Sequence, residues 1–245
     1  MPVLRLSTQL HKWVALVVGI QVLFWVAGGL VMTAIPIETV RSEHHVRHAA
    51  PEPLPAEALQ ALPQSARTLP GGLAGAALKG TPRGPAWVLT PVAGEPTVLA
   101  AATGRPFVAL TSAEAARLAA QAYAGKGRPV SAIFLPEAPA ETGRAGPIWR
   151  VEFSDGERTT FYLSPDTGEV VTRRSAVWRF YDFFWRLHVM DWENGEDFNH
   201  PLIVATTFLT LAVVVTGFIL LWIRLARDIH AARAARRKAA SGDEA

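Results

Sequence analysis

Two long apolar runs bracket this chain. No Asp, Glu, Lys or Arg falls between Trp13 and Ile35, or between Pro201 and Ile223. Each run exceeds the roughly 20 residues a helix needs to cross a hydrocarbon core, so transmembrane helices are predicted over 13–36 and 200–224. The first run is too long for the apolar part of a signal peptide, and Met32-Thr33-Ala34-Ile35-Pro36 is a poor cleavage site; it reads as an uncleaved anchor. Between the runs the pattern changes. Trp149, Val151 and Phe153 alternate with polar residues and predict a strand over Ile148–Phe153, followed by strands at Thr159–Leu163 and Glu169–Thr172. Ser154-Asp155-Gly156 and Pro165-Asp166-Thr167-Gly168 supply the turns. Ahead of them a helix is predicted, capped by Thr111 or Ser112 and supported by Glu114. Its apolar face is Ala116, Ala119, Ala120 and Tyr123, and Gly125 ends it.

The region between the spans repeats itself. Gly84-Pro85-Ala86-Trp87 matches Gly146-Pro147-Ile148-Trp149, and Gly94-Glu95 matches Gly156-Glu157 at the same offset. After a two-residue insertion Thr103-Gly104 matches Thr167-Gly168, and Ala56-Glu57-Ala58 echoes Ala113-Glu114-Ala115. Each copy reads as a helix followed by a hairpin or three-stranded meander, so two small α+β units are expected. A spacer rich in Pro, Ala and Leu, from Ala49 to about Pro70, leads into the first.

Charge orients the chain. Arg5 and Lys12 precede the first span, and Arg224, Arg227, Arg233, Arg236, Arg237 and Lys238 follow the second, whereas Asp191, Glu193, Glu196 and Asp197 form an acidic collar before it. Cations concentrate on the cytoplasmic side, so both termini are expected inside and the central portion outside. The basic tail accounts for much of the high pI of about 9.6. Beside a span it serves to hold anionic lipid, and no nucleic-acid partner is expected. Cysteine is absent, which excludes disulfides and thiolate chemistry. The chain carries no hydrolase elbow, zincin motif, Walker loop or dinucleotide fingerprint.

Ser112 to Ala119 (SAEAARLA), Trp149 to Gly156 (WRVEFSDG) and Tyr162 to Val170 (YLSPDTGEV) resemble a PepSY domain. His11 to Gly19 (HKWVALVVG) is similar to the opening of PepSY-associated transmembrane proteins, and Tyr181 to Asp191 with Phe198 to Pro201 resembles the stretch before their closing span. The resemblance covers nearly the whole chain. It implies an α+β membrane protein: a cytoplasmic start over 1–12, a span over 13–36 and a juxtamembrane linker over 37–54. A degenerate PepSY-like unit over 55–110 and a PepSY domain over 111–173 follow. An aromatic interfacial helix and acidic collar occupy 174–199, then the second span at 200–224 and a basic tail at 225–245. Larger four-span relatives include haem-containing reductases of ferric siderophores. A two-span copy would dimerise, or join another membrane subunit, to rebuild such a core.

The histidines are the candidate chemistry. His11 stands at the inner end of the first span; His44, His45, His48, His188 and His200 gather at the outer side; His230 falls in the tail, where no element is predicted. Imidazole is a common ligand of haem iron, so His11, His188, His200 and His44 are candidate ligands of a b-type haem in a dimer. His200 also lies between Asn199, a good N-cap, and Pro201. His44 and His48, four apart, would share a face if the helix continued. That is a minimal divalent-metal spacing, with Glu43 and His45 as further ligands. Two functions stand side by side: an accessory or regulatory binding module on the periplasmic side of a bacterial inner membrane, or a haem electron-transfer component of iron uptake.

Overall fold

The computed structural model describes residues 2–47, 53–59, 72–191, 197 and 199–242. Most of the spacer, His48, and Trp192 to Glu196 of the collar lie outside the described residues. The chain divides into two units, one of residues 1–34 with 183–245, the other of residues 35–182.

In the first unit, helix α1 runs over Pro2–Ala34 and helix α5 over Pro201–Gly242. α1 stops short of the predicted boundary at residue 36. The ring of Pro36 disfavours helical backbone at the residue before it, and Pro36 itself begins the next turn. α5 is longer than predicted and carries the basic tail, His230 included, as continuous helix. Between Ile223 and Ser241 that tail is largely Ala and Arg, with no Gly or Pro, which favours helix throughout. Both helices meet the length and apolarity of a membrane span, over Lys12–Ala34 and within Pro201–Ala234. Leu23, Val26, Leu30, Phe208, Phe218 and Trp222 all stand exposed on them.

Helix α4 (Ala176–Val189) crosses the division between the units in sequence and ends where Met190 turns to a positive φ of 58°. Its last turn packs on α1. The Trp25 indole donates to the His188 carbonyl at 2.8 Å, and Gly28 lies so close that a Cβ there would meet His188 Cβ and Nδ1 at 3.4 Å. Gly28 permits this close approach, whereas Gly19 and Gly29 of the same helix face open space.

The second unit holds two antiparallel sheets. Strands β1 (Leu73–Lys79), β2 (Ala86–Pro91) and β3 (Thr97–Ala100) form the first in that order. Strands β4 (Pro129–Leu135), β5 (Ile148–Phe153), β6 (Thr160–Leu163) and β7 (Val170–Arg174) form the second. The repeat is structural. Gly84 and Gly146 both take the left-handed φ that opens a strand. Gly104 donates to the Ala100 carbonyl at 2.8 Å as Gly168 donates to that of Ser164 at 3.0 Å. Each copy has a strand ahead of its Gly-Pro, β1 and β4, that the sequence echo did not include.

Helix α3 (Ser112–Ala122) covers one face of the second sheet. Thr111 is its N-cap: its hydroxyl accepts from the Glu114 amide at 3.3 Å, and the Glu114 carboxylate accepts from the Thr111 amide at 2.9 Å, a reciprocal box. The buried face is Ala115, Leu118 and Ala119, one residue off the predicted stripe; Ala120 is exposed. The helix ends at Ala122 rather than running to Gly125, because Tyr123 leaves it to pair with Val46. The main core unites this face with Tyr123, Trp149, Val151, Phe153, Phe161 and Leu163. The first sheet has a thinner core of Leu89 and Leu99 backed by Leu73 and Trp87. Arg83 ties the copies together, donating to the Asp166 carbonyl at 2.9 Å and the Val108 carbonyl at 2.8 Å.

Phe161 is fully buried, and truncating such a ring costs about 3–5 kcal/mol. Phe161→Ala is therefore expected to lower the denaturant midpoint of the detergent-solubilised protein, followed by tryptophan fluorescence. Leu99→Ala, in the thinner core of the first sheet, is expected to lower it less.

Candidate functional site

The segment following α1 does not continue as helix. A single turn, α2 (Ile37–Val40), gives way to Ser42 in the left-handed region (φ 54°), a 3-10 turn at Glu43–His45 and an extended Val46. The helical face expected to unite His44 with His48 does not form, and His48 lies outside the described residues. Instead Val46 makes an antiparallel bridge to Tyr123: Arg47 donates to the Ala122 carbonyl and Ala124 to that of His45, both at 2.8 Å. The bridge buries His45, while His44 stays exposed.

Both imidazoles meet one carboxylate. His45 Nε2 lies 3.0 Å from Glu157 Oε2, and His44 Nε2 lies 3.5 Å from the same oxygen. The two rings are 4.1 Å apart at an angle of 42°. Glu157 sits in the β5–β6 turn, where its carbonyl accepts from the Ala176 amide at 2.7 Å.

Packing fixes the His45 ring. It stacks on Tyr123 with centroids 5.6 Å apart, and Tyr123 stacks on Phe153 at 4.0 Å. His45 Nδ1 is buried and has no hydrogen-bond partner among the described residues. The Tyr123 hydroxyl donates to Asp155 Oδ2 at 2.6 Å, and Asp155 Oδ1 accepts from the Thr159 amide at 2.9 Å. A side chain at Gly125 would overlap the Tyr123 hydroxyl and crowd His45 Nδ1. Burial works to raise the Asp155 carboxyl, yet hydrogen bonds from Thr159 and Tyr123, with His45 nearby, hold it below its usual range. Burial and the hydrogen bond to Asp155 push the Tyr123 phenol up to about 12.

A second polar cluster is structural. Arg179 grips both oxygens of Glu141 at 3.0 Å, Tyr162 donates to Glu141 at 2.5 Å, and Arg174 caps the Glu141 carbonyl at 2.6 Å while lying over Trp178. Burial alone would raise the Glu141 carboxyl; its partners Arg179 and Tyr162 hold it low. A groove of about 580 Å³ runs beside it, lined by Arg158, Arg179, Glu152 and Thr160. Two of its charges are already committed, Arg179 to Glu141 and Glu152 to Arg150 at 3.2 Å.

The other candidate histidines are dispersed. His11 is a residue of α1 whose side chain lies outside the described residues. His188 presses Nδ1 against α1 with no hydrogen-bond partner among the described residues. His200, rather than Asn199, caps α5: its Nδ1 accepts from the Leu202 amide at 3.3 Å and its carbonyl from Ile203 at 3.1 Å. Nε2 is thus the atom that either ring would offer a haem iron. Among the described residues only His44 is brought against another histidine. Sequence reasoning missed Glu157, Tyr123 and Asp155 as site residues. Glu157 carried a signal, since Gly156-Glu157 closes the repeated turn, but nothing in the sequence tied that turn to residues 44 and 45.

The PepSY-associated TM region family matches residues 8–242. The chain belongs to this family, and with an apolar helix toward each end it is a membrane protein. No curated protein and no solved structure matches it.

Asp155 and Tyr123 give the fold a pH signature. A carboxyl held below its unfolded value stabilises above that value, and the contribution is lost as pH falls through the lowered one. The raised phenol stabilises below about 10, and that contribution is lost as pH climbs towards about 12. Unfolding midpoints measured across pH should fall at both ends. Tyr123→Phe should shrink the alkaline loss, leaving a remainder from Tyr162, whose phenol burial and Glu141 also raise.

Proposed function

We propose that the protein is a membrane-anchored accessory module. Its two spans hold the repeat domain on the periplasmic face of a bacterial inner membrane, with both termini in the cytoplasm. There the free edge of the second sheet pairs with an extended segment of a partner protein. The observation that carries this reading is β4. It is hydrogen-bonded to β5 alone among the described strands, and Val130, Ile133 and Phe134 on it are 60%, 43% and 47% exposed. An unguarded edge strand with apolar side chains is a template for another strand. Backbone bonds then give affinity, and alternate side chains give selectivity. The cation asymmetry across the spans supports the orientation.

A dimeric b-type haem electron-transfer component is the second reading. It is favoured by His188, whose Nδ1 is packed against α1 so that Nε2 is the nitrogen left for an iron, in the unit that holds both spans.

Three measurements test these readings. A photo-crosslinking amino acid at Phe134 should trap one discrete protein adduct in membranes, whereas the same probe at exposed Glu95 should not; equal or absent adducts at both would defeat the docking edge. The chain lacks cysteine, so single cysteines report topology cleanly. Lys126→Cys should react with an impermeant maleimide in spheroplasts and Ser241→Cys should not; the reverse labelling would overturn the orientation. A featureless reduced-minus-oxidised spectrum of protein from haem-replete cells is expected on the module reading. Sharp α and Soret bands lost in His188→Ala would replace it with the haem reading.

A further inference from the structure

We infer that His44, His45 and Glu157 form a binding site for a divalent transition ion of the zinc type, with one coordination position open to solvent. The three ligand atoms lie within 4.8 Å of one another. Around an ion held at zinc-type distances in tetrahedral geometry, neighbouring ligand atoms are about 3.3–3.4 Å apart. The two nitrogen-to-oxygen separations, 3.0 and 3.5 Å, straddle that edge. Two imidazoles and one carboxylate are also the donor set of open zinc sites, with a water or ligand in the fourth position. Imidazole donors disfavour the hard cations, which take oxygen.

Burial divides the site into a wall and a mouth. His45 is 9% exposed and held by its stack on Tyr123, while His44 and Glu157 are 44% and 41% exposed. The wall is set before an ion arrives. The Thr159 amide fixes Asp155, Asp155 fixes the Tyr123 hydroxyl, and the Tyr123 ring fixes His45 so that Nε2 meets Glu157. Fixed orientation of ligands by their neighbours is what tunes a metal site. Here stacking supplies it, because Nδ1 has no partner among the described residues. The ligands come from two places, the turn at Glu43–His45 and the β5–β6 turn. An ion therefore staples the juxtamembrane segment to the second sheet, and its affinity feeds into the stability of that junction. None of the three ligands lies on β4, and the site would bind metal with or without a partner protein.

The test is zinc binding by the full chain in mild detergent, in metal-free buffer, measured by competition with a chromophoric chelator. One high-affinity Zn²⁺ per chain is expected. His44→Ala and Glu157→Ala should each weaken it by more than about tenfold, the least that loss of a direct ligand should cost when loss of a supporting neighbour costs 10–100-fold. His230→Ala, on the exposed tail of α5, should leave it unchanged. Exposed His44 can be replaced without disturbing the core, and matched unfolding midpoints without metal confirm this for both variants. Saturating zinc should raise the wild-type midpoint and leave that of His44→Ala in place. Absence of zinc binding, or binding that survives either ligand variant, overturns the site.

Discussion

The bridge between Val46 and Tyr123 is the constraint on which the unit of residues 35–182 depends. Two backbone hydrogen bonds, from Arg47 to Ala122 and from Ala124 to His45, stop α3 after Ala122 and turn Tyr123 into extended backbone. The Tyr123 ring then falls onto Phe153 and Phe161 in the main core, while its hydroxyl reaches Asp155. The same two bonds press His45 against the other side of that ring. A helix that ran on to Gly125 would carry Tyr123 around the helix axis, and neither the aromatic stack nor the histidine pair would form. One local pairing therefore closes the core, ends a helix and builds the polar site.

The two units solve burial differently. In the unit of residues 35–182, apolar groups converge on a sheet with a helix across one face, and Val151, Phe161 and Leu163 are fully buried. The long helices instead keep most of their apolar side chains exposed. Surface of that kind and length is stable only when lipid or another apolar partner covers it. The contact that Gly28 permits is thus a packing contact between helices, and a larger residue there would press on His188. Small residues at such approaches are how membrane helices come together when burial itself supplies no drive.

Much of the fold was legible because its signals are local. Charge-free runs marked the spans, alternation at Trp149, Val151 and Phe153 marked β5, and Thr111 with Glu114 marked a cap that forms as a reciprocal box. The repeated Gly-Pro pairs marked the two copies, and Gly84 and Gly146 take left-handed backbone just ahead of β2 and β5. β4 escaped because Pro129–Leu135 is nearly all apolar, with Ser131 its one polar residue, and so shows no alternation. The site was legible only in part. His44 and His45 were visible as a cluster, but their neighbour is Glu157, 112 residues beyond His45. Only the bridge at Val46 brings the two together, and β-bridges between distant residues leave no period in the sequence. His48 drew attention through a helical spacing that the extended backbone at Val46 abolishes.

Comparison of the two copies indicates which features serve the scaffold and which serve the site. Trp87, Leu89 and Leu99 occupy in the first copy the positions of Trp149, Val151 and Leu163 in the second, so the strand framework is duplicated. Glu95 corresponds to Glu157, but Pro91 stands in place of Phe153 and Ala93 in place of Asp155. Without the aromatic there is nothing to stack a tyrosine against, and without the aspartate nothing to hold its hydroxyl. The first copy keeps the turn and its carboxylate, which is exposed, and lacks the apparatus that would orient a histidine towards it. Were the carboxylate in this turn only a requirement of the turn, the aromatic and aspartate beside it would carry no relation to it. Their confinement to the copy that receives His45 sets its turn apart from that of the first copy, on a strand framework that both repeats share.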